Sequence, residues 1–116
     1  MRKYAWLKEP QKTADDQMIW KIMLYQTEEG TYLYTYSSPD AVMASSDRWY
    51  ASTEAVYDEW NDLIDEQGWV EIDDPLPDCQ HDAFLPIRVK GRNIGKPEWG
   101  HYELLNDGRW VDFESE

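Results

Sequence analysis

The fold is decided by residues 18–36, which read MIWKIMLYQTEEGTYLYTY. Residues 18–26 are almost all apolar or aromatic over the length of one strand. Residues 31–36 alternate strictly, so their three tyrosines lie on one face of a strand. The turn residues Glu28-Glu29-Gly30 stand between the two runs. The stretch therefore predicts an antiparallel β-hairpin.

One helix is predicted downstream, at about residues 53–67, in the stretch STEAVYDEWNDLIDEQG (52–68). Ser52 or Thr53 can cap its N-terminus, and Gly68 suits the left-handed position after a helix. Four apolar side chains at positions i, i+4, i+7 and i+8 form one stripe that we expect to pack on the sheet: Val56, Trp60, Leu63 and Ile64.

The remaining elements are short. Strands are expected around 48–51, 69–72 and 83–90, where Pro86 favours a sheet edge. A second hairpin pairs residues 100–105 with 109–113 through Asn106-Asp107-Gly108, which suits a type I turn with a G1 bulge. The predicted fold class is α+β: an antiparallel, mostly sequential sheet with one amphipathic helix on one face. At 116 residues we expect a single domain, 1–116.

Charge is the most unusual bulk property, with a formal net charge of −13. Residues 13–78 carry sixteen acidic and two basic groups. Such acidity disfavours direct nucleic-acid binding, which needs clustered cations. It favours solubility, and it would speed encounter with a basic protein. Asp58, Asp62 and Asp65 on the predicted helix are the candidate contacts for that partner.

The compartment follows from two observations. The chain has one cysteine, which excludes an internal disulfide and fits a reducing environment. Its basic first ten residues lack the apolar core of a signal peptide, and no apolar run approaches the length of a membrane span. The sequence therefore predicts a cytoplasmic protein without membrane contact.

A candidate ligand site lies around the only cysteine. A thiol, an imidazole and a carboxylate fall within four residues, and Trp99 and His101 follow later. The Cys-x-His spacing is not a standard zinc pair, and no second half-site exists. A thiolate–imidazole catalyst would need a third orienting group that is not visible. We therefore predict no metal, cofactor or catalytic residue, and a candidate ligand-binding set: Cys79, His81, Asp82, Trp99 and His101.

A basic run follows the same region. Three residues separate Gly91 from Gly95 where a phosphate-binding P-loop needs four, and Pro97 replaces the Ser or Thr that holds magnesium. The run is not a P-loop, although its backbone amides could meet an anion. The favoured interpretation is that these cations face the protein's own acidic helix. The candidate anion-binding residues are Arg88, Lys90, Arg92 and Lys96.

Two functions from different classes are open. The first is a non-enzymatic, protein-binding module with an interaction or immunity-like role, which suits the size, charge and compartment. The alternative is a small-molecule or metal-binding domain with its site around Cys79, His81 and His101. The sequence makes no prediction of oligomeric state.

Overall fold

The computed structural model describes residues 1–113. Two compact units are present, Met1–Asp74 and Pro75–Glu116. The expectation of one domain over 1–116 stays a prediction. The elements in chain order are β1 (Arg2–Lys12), β2 (Met18–Gln26), β3 (Thr31–Tyr36), β4 (Ser46–Tyr50), α1 (Thr53–Trp60), β5 (Val70–Ile72), β6 (Ile87–Val89), β7 (Tyr102–Asn106) and β8 (Arg109–Phe113).

The first unit contains an antiparallel five-stranded sheet in the order β4-β3-β2-β1-β5. The α+β fold class is confirmed, and the β2–β3 hairpin forms as predicted. The long strand β1 is absent from the prediction, although it pairs with both β2 and β5. Its register shifts between Trp6 and Gln11. This irregularity contains Pro10, which cannot donate to a regular ladder.

Helix α1 begins where the sequence predicts. The Ser52 hydroxyl accepts a hydrogen bond of 3.2 Å from the Ala55 amide. The helix ends at Trp60 and not at residue 67, so the predicted length is wrong.

Pairing with β1 explains the early end of the helix. The backbone around Leu63 and Ile64 runs beside β1, where Ile64 forms a bridge with Leu7. The Lys8 amide donates to the Leu63 carbonyl at 2.9 Å, and the Asp65 amide donates to the Trp6 carbonyl at 2.8 Å. In a longer helix the Leu63 carbonyl and the Asp65 amide would form helical hydrogen bonds. Because both groups bond to β1 instead, the longer helix and the pairing with β1 exclude each other.

The hydrophobic core of the first unit lies between one face of the sheet and α1. Val56 is fully buried and Trp60 is 5% exposed. Ile64 joins them from the segment after the helix, and Leu63 is partly buried against the same cluster. Three of the four residues of the predicted apolar stripe are therefore buried, although only Val56 and Trp60 are helical. The cluster consists of Ala5, Leu7, Ile19, Ile22, Leu24, Leu33, Val56, Trp60 and Ile64.

The second unit contains a three-stranded antiparallel sheet in the order β6-β7-β8. Strand β6 lies at the sheet edge, as Pro86 predicts, but it is shorter than the predicted 83–90. In the β7–β8 hairpin Asn106 pairs with Arg109, which leaves a two-residue loop. Asp107 and Gly108 both have positive φ, 51° and 77°. The turn is therefore of type I′, and the predicted G1 bulge is wrong.

Among residues 1–113, no helix is long and apolar enough to cross a membrane.

Candidate functional site

The segment around the only cysteine is a folded turn. The Cys79 amide donates to the Leu76 carbonyl at 3.0 Å, and the Gln80 amide donates to the Ile87 carbonyl at 2.7 Å. Cys79 is 3% exposed, whereas His81 is exposed and Asp82 is half-buried. The thiol therefore lies in the interior while the imidazole faces solvent.

The predicted ligand set does not form a metal centre. Among the described residues, no three His, Cys, Asp or Glu side chains gather in a way that could hold a metal ion. His101 is exposed, and its backbone bonds to Glu98 and Lys90. No described contact therefore supports the metal alternative, and the small-molecule alternative stays a prediction.

Trp99 and His101 lie instead on the connection from β6 to β7, together with three of the predicted anion-binding residues. We call residues 90–101 the basic loop. It carries Lys90, Arg92 and Lys96 against one acidic residue, Glu98. Five predicted site residues thus share one surface loop: Lys90, Arg92, Lys96, Trp99 and His101.

The backbone of the basic loop is fixed by its own hydrogen bonds. The Gly91 carbonyl accepts from the Ile94 and Lys96 amides at 3.2 and 3.0 Å. The Glu98 amide donates to the Lys90 carbonyl at 2.8 Å, and the Lys90 amide donates to the His101 carbonyl at 2.9 Å. Gly91 has a φ of 79°, and a Cβ at this position would collide with the Lys96 carbonyl. A side chain at position 91 is therefore incompatible with this loop.

Two of the four predicted anion-binding cations are already paired with acidic side chains of the three-stranded sheet. The Arg88 guanidinium donates to Glu103 at 3.1 Å and lies 3.7 Å from the centroid of the Trp110 ring. Lys90 donates to Asp112 at 3.2 Å, and this hydrogen bond raises the Lys90 pKa. These partners are not the acidic residues of α1 that the sequence analysis favours.

The other two cations are more available. Arg92 donates to the Gln80 side-chain oxygen at 3.3 Å, and both residues lie near solvent. Lys96 is exposed, and its side chain has no hydrogen bond or ion pair among residues 1–113. Arg92 and Lys96 are therefore the charges that the basic loop can offer to another molecule.

The basic loop also exposes two large apolar side chains. Trp99 is 74% exposed and Ile94 is 68% exposed, the two highest values among the described large apolar residues. Ile94 is not among the sequence-predicted site residues. Its only sequence signal was its position between Gly91 and Gly95. An isoleucine in a loop usually packs inward, so this signal did not indicate an exposed side chain. The arrangement combines apolar anchors with two available cations.

The predicted acidic contacts do not form one helix face. Asp58 lies on α1, but Asp62 lies beyond its end. Asp65 is half-buried, and its carboxylate accepts from the Gln67 amide at 3.0 Å. Four exposed carboxylates in this part of the chain have no side-chain partner among the described residues. We call them the acidic strip: Glu54, Asp58, Asp62 and Glu66.

Comparison with protein-family models, curated proteins and solved structures gives no match to this chain.

Proposed function

We propose that this chain is a non-enzymatic, protein-binding module with an interaction or immunity-like role, and that the basic loop is its contact surface. The observation that carries the proposal is the exposure of Trp99 and Ile94 on a hydrogen-bonded loop. Large apolar side chains exposed together are a mark of interaction sites. Tryptophan is enriched among the residues that dominate binding energy at protein interfaces.

The chemistry of the loop specifies the partner surface. Trp99 and Ile94 need an apolar pocket, and Arg92 and Lys96 need carboxylates at its rim. Arginine suits such a rim because its planar guanidinium can bind a carboxylate through two parallel hydrogen bonds. Since the loop backbone is already ordered, binding costs less conformational entropy than it would for a flexible loop.

Binding without catalysis and a cytoplasmic location belong to the same proposal. The only thiol is buried, which argues against a cysteine nucleophile. A single cysteine leaves no internal disulfide to maintain, which suits a reducing compartment.

The acidic strip supports a second surface, for a basic protein. Its carboxylates are exposed and have no side-chain partner within residues 1–113, so their field is available for long-range attraction. Such charges mainly raise the association rate and contribute less to the lifetime of a complex. The sequence-predicted basic partner therefore remains part of the proposal, with Asp58 and Asp62 as contacts and without Asp65.

Site-specific photo-crosslinking tests the basic loop. A benzophenone amino acid replaces Ile94 in the full chain inside its host cell, and a control carries it at Leu85, an exposed apolar position (41%) off the loop. We expect a crosslinked protein at position 94 that is absent at position 85 and lost when Trp99→Ser is added. The same crosslinks at both positions would contradict the proposal.

A purified partner then allows a quantitative check. Lys96→Glu should weaken its binding far more than Arg109→Glu, which makes the same charge change at an exposed position of β8. Equal effects of the two variants would mean that net charge, and not the basic loop, controls the interaction.

A further inference from the structure

Strand β4 is an open edge of the five-stranded sheet. It pairs with β3 on one side and, within the described part of the chain, has no neighbouring strand on the other. Ser46 to Trp49 are exposed and Tyr50 is half-buried. Among the described residues, the outer backbone groups of β4 accept and donate no hydrogen bond. An edge of this kind can pair with a strand from another chain.

One face of this edge carries an exposed aromatic ring. Register places Trp49 opposite Tyr32 and Asp47 opposite Tyr34, so all four share a face. Trp49 is 56% exposed, and its ring lies against Gly30, where a Cβ would come within 2.5 Å of it. The rings of Tyr32 and Tyr34 are stacked, with centroids 6.2 Å apart.

The same sheet face already accommodates a cation among aromatic rings. The Lys21 ammonium lies 5.3 Å from the Trp6 centroid and 5.4 Å from the Tyr36 centroid. Register places these residues on the face that carries Trp49. Aromatic faces attract cations through their quadrupole, and tryptophan does so best.

Charge decides which strand β4 would accept. On the opposite face, Arg48 is neutralised by an ion pair of 3.2 Å with Glu59. Asp47 is exposed, and its side chain has no partner among the described residues. The carboxylate that β4 offers to a neighbour is therefore next to Trp49 on the aromatic face, and it selects a cationic residue.

We propose that β4 binds an extended, basic segment of a partner protein as a sixth strand. One arginine or lysine of that segment lies over Trp49, and another forms an ion pair with Asp47. Main-chain hydrogen bonds supply affinity, and the alternating side chains supply specificity. This inference rests on the proposed protein-binding function and assigns the basic partner a second contact beside the acidic strip.

A peptide probe tests the edge directly. The probe is a labelled nine-residue peptide that alternates threonine and arginine, and its matched control alternates threonine and glutamate. Binding to the full chain is followed by fluorescence anisotropy, and amide hydrogen exchange reports which backbone groups become protected. We expect binding of the arginine peptide only, with slower exchange of the β4 amides.

Two variants separate the edge from general electrostatics. Trp49→Leu and Asp47→Asn should each weaken the arginine peptide about two- to fivefold, the size of an exposed cation–π contact or ion pair. Their controls, Trp20→Leu and Asp15→Asn, make the same changes at exposed positions outside the proposed contact surfaces and should leave binding unchanged within error. Asp47→Asn removes no side-chain contact with any described residue, so it remains informative if Trp49→Leu fails to fold.

Backbone pairing has its own control. Two versions of the arginine peptide carry N-methyl groups on alternate backbone amides. One version has them on the amides that face one edge of the peptide strand, and the other version on the amides that face the opposite edge. We expect one version to lose binding and the other to keep it, because a strand presents alternate amides to each side. Equal binding of both versions, or β4 protection that grows with protein concentration without peptide, would overturn the proposal, the latter in favour of a second copy of this chain.

The edge proposal and the proposed function can fail separately. Crosslinks at Ile94 without peptide binding at β4 would remove only the edge proposal. Peptide binding at β4 without crosslinks at Ile94 would remove the basic loop as the contact surface and leave the edge in place.

Discussion

The ammonium of Lys21 donates a hydrogen bond of 3.0 Å to the carbonyl of Pro39 and joins the centre of β2 to the loop between β3 and β4. Lys21 is 7% exposed. Burial lowers its pKa below 10.5, and the charge of Asp40 offsets part of that effect. The folded chain therefore holds the Lys21 proton less tightly than the unfolded chain does.

Stability relative to a Lys21→Met variant should rise with pH. Between the folded pKa and 10.5 the unfolded state binds more protons, so unfolding becomes less favourable as pH increases. Urea unfolding of both proteins between about pH 7.5 and 10 measures the difference. Lys12→Met, at a side chain 63% exposed, makes the same substitution on the surface and is measured alongside. A stability of the wild type relative to Lys21→Met that falls as pH increases would contradict this prediction.

Trp60 should be the main anchor of α1. It is 5% exposed, and its indole donates to the Tyr50 hydroxyl at 3.1 Å. Trp60→Ala should cost about 3–5 kcal/mol because it leaves a cavity in the core. Trp99→Ala, at a 74% exposed ring, should stay within about 0.5 kcal/mol. Urea unfolding decides, and a loss below about 1 kcal/mol for Trp60→Ala would show that the helix packs otherwise.

Local signals predicted the beginning of α1 but not its end. The Ser52 cap acts through the Ala55 amide only three residues away, so the sequence shows both partners. The end depends on the bridge between Ile64 and Leu7, whose positions are far apart in the chain. Periodicity cannot show which of two hydrogen-bonding arrangements wins when both bury the same side chains.

The sequence pattern did not predict strand β1 for a related reason. Arg2 carries a charge yet is 7% exposed, and its Nε donates to the Asp73 carbonyl at 2.7 Å. A pattern of apolar and polar residues treats such an arginine as a surface group. The acceptor is 71 positions away, so no local reading could identify it.

The candidate site was predictable in residue type and not in arrangement. The sequence identified Trp99, Arg92 and Lys96 as unusual, and the structure places them on one loop. The sequence could not show that Arg88 lies over Trp110, because no local pattern distinguishes an arginine that stacks on a ring from one that faces solvent. Exposure of Ile94 also depends on the left-handed glycines around it.

The two glycines of the basic loop should respond differently to the same substitution. Both have positive φ, 79° at Gly91 and 73° at Gly95, but only Gly91 lacks room for a Cβ. Gly95→Ala should cost about 1–2 kcal/mol from the left-handed backbone alone. Gly91→Ala should cost more and should release the Lys96 amide, which hydrogen exchange detects. Equal protection of that amide in both variants would contradict the loop geometry.

The acidic strip should govern the rate of encounter with a cation. Replacing Glu54, Asp58, Asp62 and Glu66 by their amides should slow association of a ten-residue lysine peptide far more than it changes dissociation, and should flatten the salt dependence. The control removes four other charges, at Asp15, Asp16, Glu28 and Glu29. Stopped-flow rates at low salt decide, and equal slowing by both sets would assign the effect to net charge.

Cys79 should be unreactive in the folded protein. Its side chain is 3% exposed, so an alkylating reagent must wait for the turn from Leu76 to Gln80 to open. We expect iodoacetamide to modify the native thiol much more slowly than a free thiol at the same pH, and at the same rate once urea unfolds the chain. Mass spectrometry follows the modification. The Cys79→Ser variant should show no mass change under the same conditions, because the modified thiol is absent. Native alkylation faster than the free thiol would instead reveal an activated cysteine and revive the ligand site around Cys79 and His81.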